Sequence, residues 1–380
     1  MLPWQVVFCG ATDFDTIWSG TRNEKYADIH RPSRISVLQG KKVTMIASGP
    51  SAAHSVIVAE DGCYTFGYNK WGQLGHGDGG WPTQWRVPRK LPLRDYIVGA
   101  ACGKTHTMLL ADNGRVWVMG GNEYGQLGCG HKKPIKDPYM LSGIPTIDRV
   151  AVGQDFSAML TSEGTVLACG KPEYGQLGNG TNGEYFITAS KLDFQCETRP
   201  ILVEGKDRAS FTAVRHLSRP LLPTDRLERP PVQRRRGVDL TASASHCALR
   251  APPAGLPKIS DIKCGNHHTA AMTTEGAVYT WGFGGYGRLG HNDPADCLTP
   301  KEVETFSEEM RTRAGGPLGP PDHAVGITCG SACTLAIRAS GKTMFWGKTK
   351  TSGEATMYPK VIEDLQGWRV RAFGAGNASI

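Results

Sequence analysis

The chain has 380 residues, 48 of them glycine, and a formal net charge of +8. It has no run near the roughly 18 apolar residues of a membrane span and no G-X-Y period, and "MLPWQVVFCG" at its start lacks the charged and long apolar regions of a secretory leader. Eleven scattered cysteines, an odd number with no C-x-x-C pair, point away from a disulfide framework or a spaced zinc site and towards a soluble, non-secreted protein in a reducing compartment.

Two elements alternate along the chain. The first is a glycine turn: "FCGATDFDTIWSG" from Phe8, "GYNKWGQLGHG" from Gly67, "GNEYGQLGCG" from Gly121, "GKPEYGQLGNG" from Gly170, "GFGGYGRLGHN" from Gly282 and "FWGKTKTSGEATMYPK" from Phe345. The second reads as two strands around a short turn: "ASGPSAAHSVIVAEDGCYTFG", "AACGKTHTMLLADNGRVWVMG", "VAVGQDFSAMLTSEGTVLACG", "IKCGNHHTAAMTTEGAVYTWG" and "ITCGSACTLAIRASGKTMFWG". Gly72, Gly125 and Gly175 lie 53 and 50 residues apart, and Gly287 follows after 112. A period of about 50 residues with four strands per unit predicts the blades of a β-propeller. The units run approximately 4–65, 66–118, 119–168, 169–280, 281–345 and an incomplete 346–380, all within one domain. The long interval holds an insert, 213–257, with eight arginines, three acidic residues and seven prolines, which reads as a disordered loop or as translated intron.

Several motifs suggest chemistry that their surroundings do not support. Gly282, Gly284 and Gly287 spell G-x-G-x-x-G, but "NDPADCLTP" follows where a dinucleotide fold needs a helix to receive the pyrophosphate. Gly103-Lys104-Thr105, Gly341-Lys342-Thr343 and Gly347-Lys348-Thr349 resemble the end of a P-loop, yet Val98, Ala336 and Lys342 stand where its first glycine belongs. His54, His106 and His268 share one repeat position, which raises a ring of metal ligands. Phe156 and Cys333 replace two of the five, so packed side chains with ring nitrogens bonded to backbone are favoured. Cys102, Cys264 and Cys329 read as core residues, as do Phe66, Trp281 and Trp346; Gln73, Gln126 and Gln176 read as partners of turn backbone.

The tandem units resemble the regulator of chromosome condensation repeats. One branch of that family, that of the second regulator (the telophase disc branch), is matched by "FCGATDFD" (Phe8 to Asp15), "PEYGQLG" (Pro172 to Gly178), "GFGGYGRLGH" (Gly282 to His291) and "TMYPKVIEDLQGWRVR" (Thr356 to Arg371). The resemblance implies an all-β, seven-bladed propeller of which about six blades are present, short of the seventh repeat and of the branch's basic N-terminal tail. It further implies a non-enzymatic binding protein for a small GTPase of Rac, Ral or Ran type, with guanine-nucleotide exchange but no covalent catalysis, acting in mitosis in the nucleus, on chromosomes and in the cytoplasm or cytoskeleton. The alternative is a chromatin- or microtubule-bound scaffold without exchange activity. The charged segment Glu204, Gly205, Lys206 and Asp207 lies where the branch has a loop implicated in GTPase binding, and is the expected partner contact. No catalytic residue, cofactor, metal, small-molecule substrate or membrane span is expected.

Overall fold

A computed structural model describes residues 6–10, 29–77, 84–188, 190–203, 256–310, 322–348, 354–365, 367, 368 and 370. Its regular structure is almost entirely strand, in five four-stranded antiparallel sheets and two two-stranded ones. β1 (Val7–Gly10) pairs with β2 (Ile29–Arg34). The first full sheet is β3 (Val43–Ser48), β4 (His54–Ala59), β5 (Gly62–Tyr68) and β6 (Gln84–Lys90), and the second is β7 (Ile97–Cys102), β8 (His106–Ala111), β9 (Val116–Gly120) and β10 (Ile135–Met140). The third comprises β11 (Ile147–Val152), β12 (Phe156–Thr161), β13 (Val166–Gly170) and β16 (Glu197–Leu202), with the hairpin β14 (Glu184–Thr188) and β15 (Lys191–Phe194) interposed. The fourth is β17 (Ile259–Cys264), β18 (His268–Thr273), β19 (Val278–Gly282) and β20 (Cys297–Glu302), and the fifth β21 (Ala324–Cys329), β22 (Cys333–Arg338), β23 (Thr343–Gly347) and β24 (Thr356–Val361).

Each sheet is packed on both faces, which is why the second strand is buried along nearly its whole length. All six residues of β8 and of β12 are buried. The apolar clusters lie between sheets. Met108, Leu110 and Val118 of the second meet Ile147, Val152 and Met159 of the third, and Phe156, Leu160 and Val166 of the third meet Ile259, Ile262 and Trp281 of the fourth. The first strands are innermost. Residues of β3, β7, β11, β17 and β21 line one common central cavity of about 620 Å³. This is a β-propeller, and the described residues give five complete blades. β1 ends at Gly10, as the third strand of each full blade reaches its own glycine, and β2 carries Pro32, so this pair has the pattern of outer blade strands.

The glycine turn joins the third strand to the fourth, so the blades are offset by part of a unit from the sequence repeats. In the second blade the glycine equivalent to Gly67 and Gly170 is Gly120, not Gly121: these three share positive φ values of 109°, 112° and 113°. Close approach to the next blade explains the later glycines of the turn. A Cβ on Gly125 would lie 2.7 Å from Thr198 Cα, and one on Gly287 2.6 Å from Met357 Cα, in each case on the neighbouring fourth strand. The Gly77, Gly130 and Gly180 N–H groups donate to Lys136, Thr198 and Leu298 carbonyls of the next blade at 3.1, 2.7 and 2.9 Å.

Candidate functional site

Both the turn between first and second strands and the glycine turn lie at one end of each blade. The first of these turns interlock. Lys104 N donates to Gln154 O (3.3 Å), Gln154 N to Asn266 O (3.0 Å) and Asn266 N to Ser331 O (3.4 Å), while the Ser51 hydroxyl of the first blade reaches Asn266 Oδ1 at 2.5 Å. Asn266 thus ties together inner turns of the first, third, fourth and fifth blades at one mouth of the central cavity.

The histidines at the shared position are staples between blades. The Thr107 hydroxyl donates to Gln73 O at 2.8 Å, so at 2.7 Å it accepts from His54 Nε2–H. The Ser157 hydroxyl likewise donates to Gln126 O (2.7 Å) and meets His106 Nε2 (3.0 Å); the Thr334 hydroxyl donates to Arg288 O (2.9 Å) and meets His268 Nε2 (3.0 Å). The expected backbone partner is therefore a hydroxyl of the next blade instead. Burial pushes His54 and His106 down to about 3 and His268 well below its ordinary value, so all three are neutral. Among the described residues no group of three or more His, Cys, Asp or Glu could hold a metal. The glutamine expectation holds: Gln73, Gln126 and Gln176 Oε1 accept from Trp71, Tyr124 and Tyr174 N–H at 3.0, 2.9 and 2.8 Å. Gly282–Gly287 runs through a 3-10 turn towards β20 without a helix, which removes the dinucleotide reading.

What this face displays is an arc of aromatic rings with cations beside them. The residue before Gly72, Gly125, Gly175 and Gly287 is Trp71, Tyr124, Tyr174 and Tyr286 in successive blades. Lys171 Nζ lies 5.2 Å from the Tyr124 ring centre and 5.4 Å from that of Phe194, while holding Glu173 at 2.6 Å. The Tyr174 ring is 5.1 Å from His267 and 4.7 Å from Phe283. Arg288, standing where the other turns have glutamine, is buried under Phe283 (4.5 Å) and Tyr286 (5.6 Å) and donates to Gly285 O and Ser331 O. Burial lowers its guanidinium to about 10. Lys348 lies 4.9 Å over Tyr286.

Between the first three blades the arc dips into a cavity of about 510 Å³, lined by Trp71, Tyr124, Lys104, Lys132, Glu123 and Asp155 among others. Burial holds the Asp155 carboxyl above the usual carboxylate range, against the pull of Lys104, the Gln154 amide and Lys171. A perturbed carboxyl in a cleft of aromatic and cationic side chains marks a candidate recognition site. The sequence reading missed it, although the aromatic position is visible once the turns are aligned on their glycines. The expected contact, Glu204, Gly205, Lys206 and Asp207, lies outside the described residues. The last of these before it, Val203, bonds Val166 O at the end of the blade opposite the glycine turns.

Comparison with known proteins follows the same pattern. The profile of the "Regulator of chromosome condensation (RCC1) repeat" matches residues 60–110, 113–160 and 275–337, and a second profile of that description matches 97–126, 147–176 and 259–288. "Protein RCC2 homolog" of Danio rerio is 33% identical over 99% of this chain and 68% of its own length; "Protein RCC2" of Homo sapiens is 32% identical over 99% and 65%. The chain thus spans about two thirds of these relatives. Among solved structures, human WBSCR16 superposes with a TM-score of 0.67 at 19% identity (95% of this chain, 78% of that one). Yeast RCC1 (Prp20) bound to Kap60 gives 0.65 at 18% (98% and 74%). A structure of Saccharomyces cerevisiae Prp20p, described with its binding properties to Gsp1p and histones, gives 0.55 at 16% (99% and 90%). At these identities the structures establish a shared fold.

Proposed function

This chain belongs to the regulator of chromosome condensation (RCC1) repeat family and to its RCC2 branch, and from that premise we propose that it binds a small GTPase of Rac, Ral or Ran type through its glycine-turn face and promotes nucleotide exchange. It does so without covalent chemistry. A partner that holds the nucleotide-free GTPase more tightly than the loaded form weakens the nucleotide by the same coupling energy. The mitotic role, and residence on chromosomes and in the cytoplasm, belong to the same proposal.

The observation that carries it is the arc Trp71, Tyr124, Tyr174 and Tyr286, with Lys171 and Arg288 against its rings and the Asp155 cavity at its start. Tyrosine, tryptophan and arginine in part-buried settings supply most of the energy at protein interfaces. The turns that hold them are pinned by the glutamine bonds and the staples, so little ordering cost is left for binding.

The test is pull-down and nucleotide release across a panel of small GTPases, with two variant arms. Trp71→Ala with Tyr124→Ala should weaken binding at least about tenfold. Reversal of the other expected contact, Lys206→Glu with Asp207→Lys, should cost about 1 kcal/mol, mostly in on-rate and sensitive to salt. If only the reversal matters, the contact moves to the segment after Val203. Failure to bind any GTPase, together with salt-dependent binding to DNA or microtubules, leaves the scaffold reading.

A further inference from the structure

The cavity at the start of the arc carries a mixed set of charges. It holds about 510 Å³, within the roughly 300–1,000 Å³ of small-molecule sites. Two rings line it, Trp71 from the first glycine turn and Tyr124 from the second. So do two cations, Lys104 and Lys132, and two carboxyls, Glu123 and Asp155. A bare cation entering here meets the two lysines, and a bare phosphate meets the two carboxyls and gains nothing from the rings. The lining suits a flat heterocycle with N–H donors at one end and an anionic group at the other.

The walls are set before any ligand arrives. Tyr124 N–H donates to Gln126 Oε1 at 2.9 Å, and Gln126 Nε2 to Thr105 Oγ1 at 3.3 Å, which fixes the second glycine turn against the inner turn of its own blade. Gln154 N donates to Asn266 O at 3.0 Å and the Gln154 side-chain amide to Asp155 Oδ2 at 3.2 Å, so the carboxyl is anchored from the third blade. Burial keeps that carboxyl above its ordinary range, and N–H donors from a ligand would stabilise its charged form. Lys171, beside the Tyr124 ring, is taken up by Glu173 at 2.6 Å, which leaves Lys104 and Lys132 as the cations lining the cavity.

We propose that this cavity binds a free guanine nucleotide, with the base against Trp71 and Tyr124, its ring and amino N–H groups on Asp155, the ribose hydroxyls on Glu123 and the phosphates on Lys104 and Lys132. A carboxylate only accepts, so it matches the two adjacent donors of guanine and not adenine, which offers an acceptor beside its amino group. Stacking on the rings holds either purine, and the carboxyl chooses between them. An acidic side chain on ribose and a lysine on phosphate are recurring partners of these groups in nucleotide sites. The repeats alone suggest no such ligand, because the residues that hold it come from three blades. This inference goes beyond the GTPase reading and does not depend on it. Trp71 and Tyr124 serve both, so nucleotide and protein partner exclude one another.

Calorimetric titration of the full chain with guanosine diphosphate (GDP), adenosine diphosphate (ADP), guanosine and pyrophosphate tests this. No GTPase is present, which keeps failure of this binding apart from failure of the GTPase reading. One site is expected, at least about tenfold tighter for GDP than for the other three. Tyr124→Ala should weaken GDP binding at least about tenfold, while Tyr124→Phe, which keeps the ring, should stay within about threefold of the parent. Asp155→Asn should remove the preference for GDP over ADP and leave the stacking in place, and Lys132→Ala should narrow the gap between GDP and guanosine. Tyr358→Ala, on β24 of the fifth blade, should change nothing, and unaltered melting of each variant confirms that the blades are intact. No binding at about 1 mM GDP, equal affinity for GDP and ADP, or binding indifferent to both Tyr124→Ala and Asp155→Asn overturns the proposal.

Discussion

At the scale of single residues, the recurring His-Thr or His-Ser pair has two separate duties. The hydroxyl closes a bond to a glycine-turn carbonyl of the preceding blade, and the ring reaches forward to the hydroxyl of the blade that follows. Gly103 completes the fit, because a Cβ there would lie 2.3 Å from His106 Cε1. His106→Ala would leave a cavity at this seam and take away the donor that Ser157 accepts from. A cost of about 2–4 kcal/mol is expected in urea unfolding. His106→Phe, copying the ring that stands at Phe156, keeps the volume and removes the unpartnered Nδ1, and should stay within about 1 kcal/mol of the parent. Equal losses in both variants would show that the hydrogen bond outweighs the packing.

At the scale of the element, a glycine turn is a surface for the next blade as much as a reversal of chain. Gly125 and Gly143 have nearly the same backbone, φ of 76° and 74°, but a Cβ on Gly143 would meet nothing within 4 Å, whereas on Gly125 it would strike Thr198 backbone. Gly143→Ala should therefore cost about 1 kcal/mol, the left-handed penalty alone, and Gly125→Ala clearly more, because a neighbouring blade must move. Chemical denaturation of the two variants side by side measures the difference, and equal values would mean that conformation alone explains the repeat. The glycines, the paired strands and the buried Trp281 and Trp346 were legible in the sequence because repetition exposes what packing demands. Asp155 was not, since its carboxyl is unusual only through its surroundings. The hairpin β14–β15 was also missed: among the described residues no other unit has a counterpart to set beside it, and it lies within an interval dominated by the arginine-rich insert. The staples were half legible, with the position found and the partner mistaken, because a bond between blades is invisible to a reading made one repeat at a time.

At the scale of the whole molecule, the staples make cohesion between blades depend on pH. In the fold His54 and His106 are pushed to about 3 and His268 is held well below its ordinary value, whereas in the unfolded chain each titrates near 6.5. Above that value both states are neutral and stability is level. Below it the unfolded chain takes up protons that the fold refuses, so stability falls with pH through the window from about 6.5 to about 3, by up to about 1.4 kcal/mol per unit for each histidine. His76 and His267, pushed to about 4 by burial, steepen the loss, while the raised Asp155 carboxyl opposes it, since its protonation favours the fold. By pH 5 the His54 and His106 staples together forfeit about 4 kcal/mol, a large part of the net stability of an ordinary domain, and His268 adds to the loss. Unfolding midpoints in urea should therefore hold between pH 8 and 7 and drop steeply below about 6, with His106→Phe reducing the slope by close to one histidine's share. The seam between the third and fourth blades tells this cause from a general acid effect. There Phe156 occupies the histidine position and the Thr269 hydroxyl bonds Gln176 O at 3.2 Å without a ring to titrate. Hydrogen exchange corrected for intrinsic rate should show the amides of β8, which meets a titrating ring on both of its seams, losing protection on acidification before those of β12, which meets one on a single seam. Uniform loss across all seams would place the acid sensitivity elsewhere than in the staples.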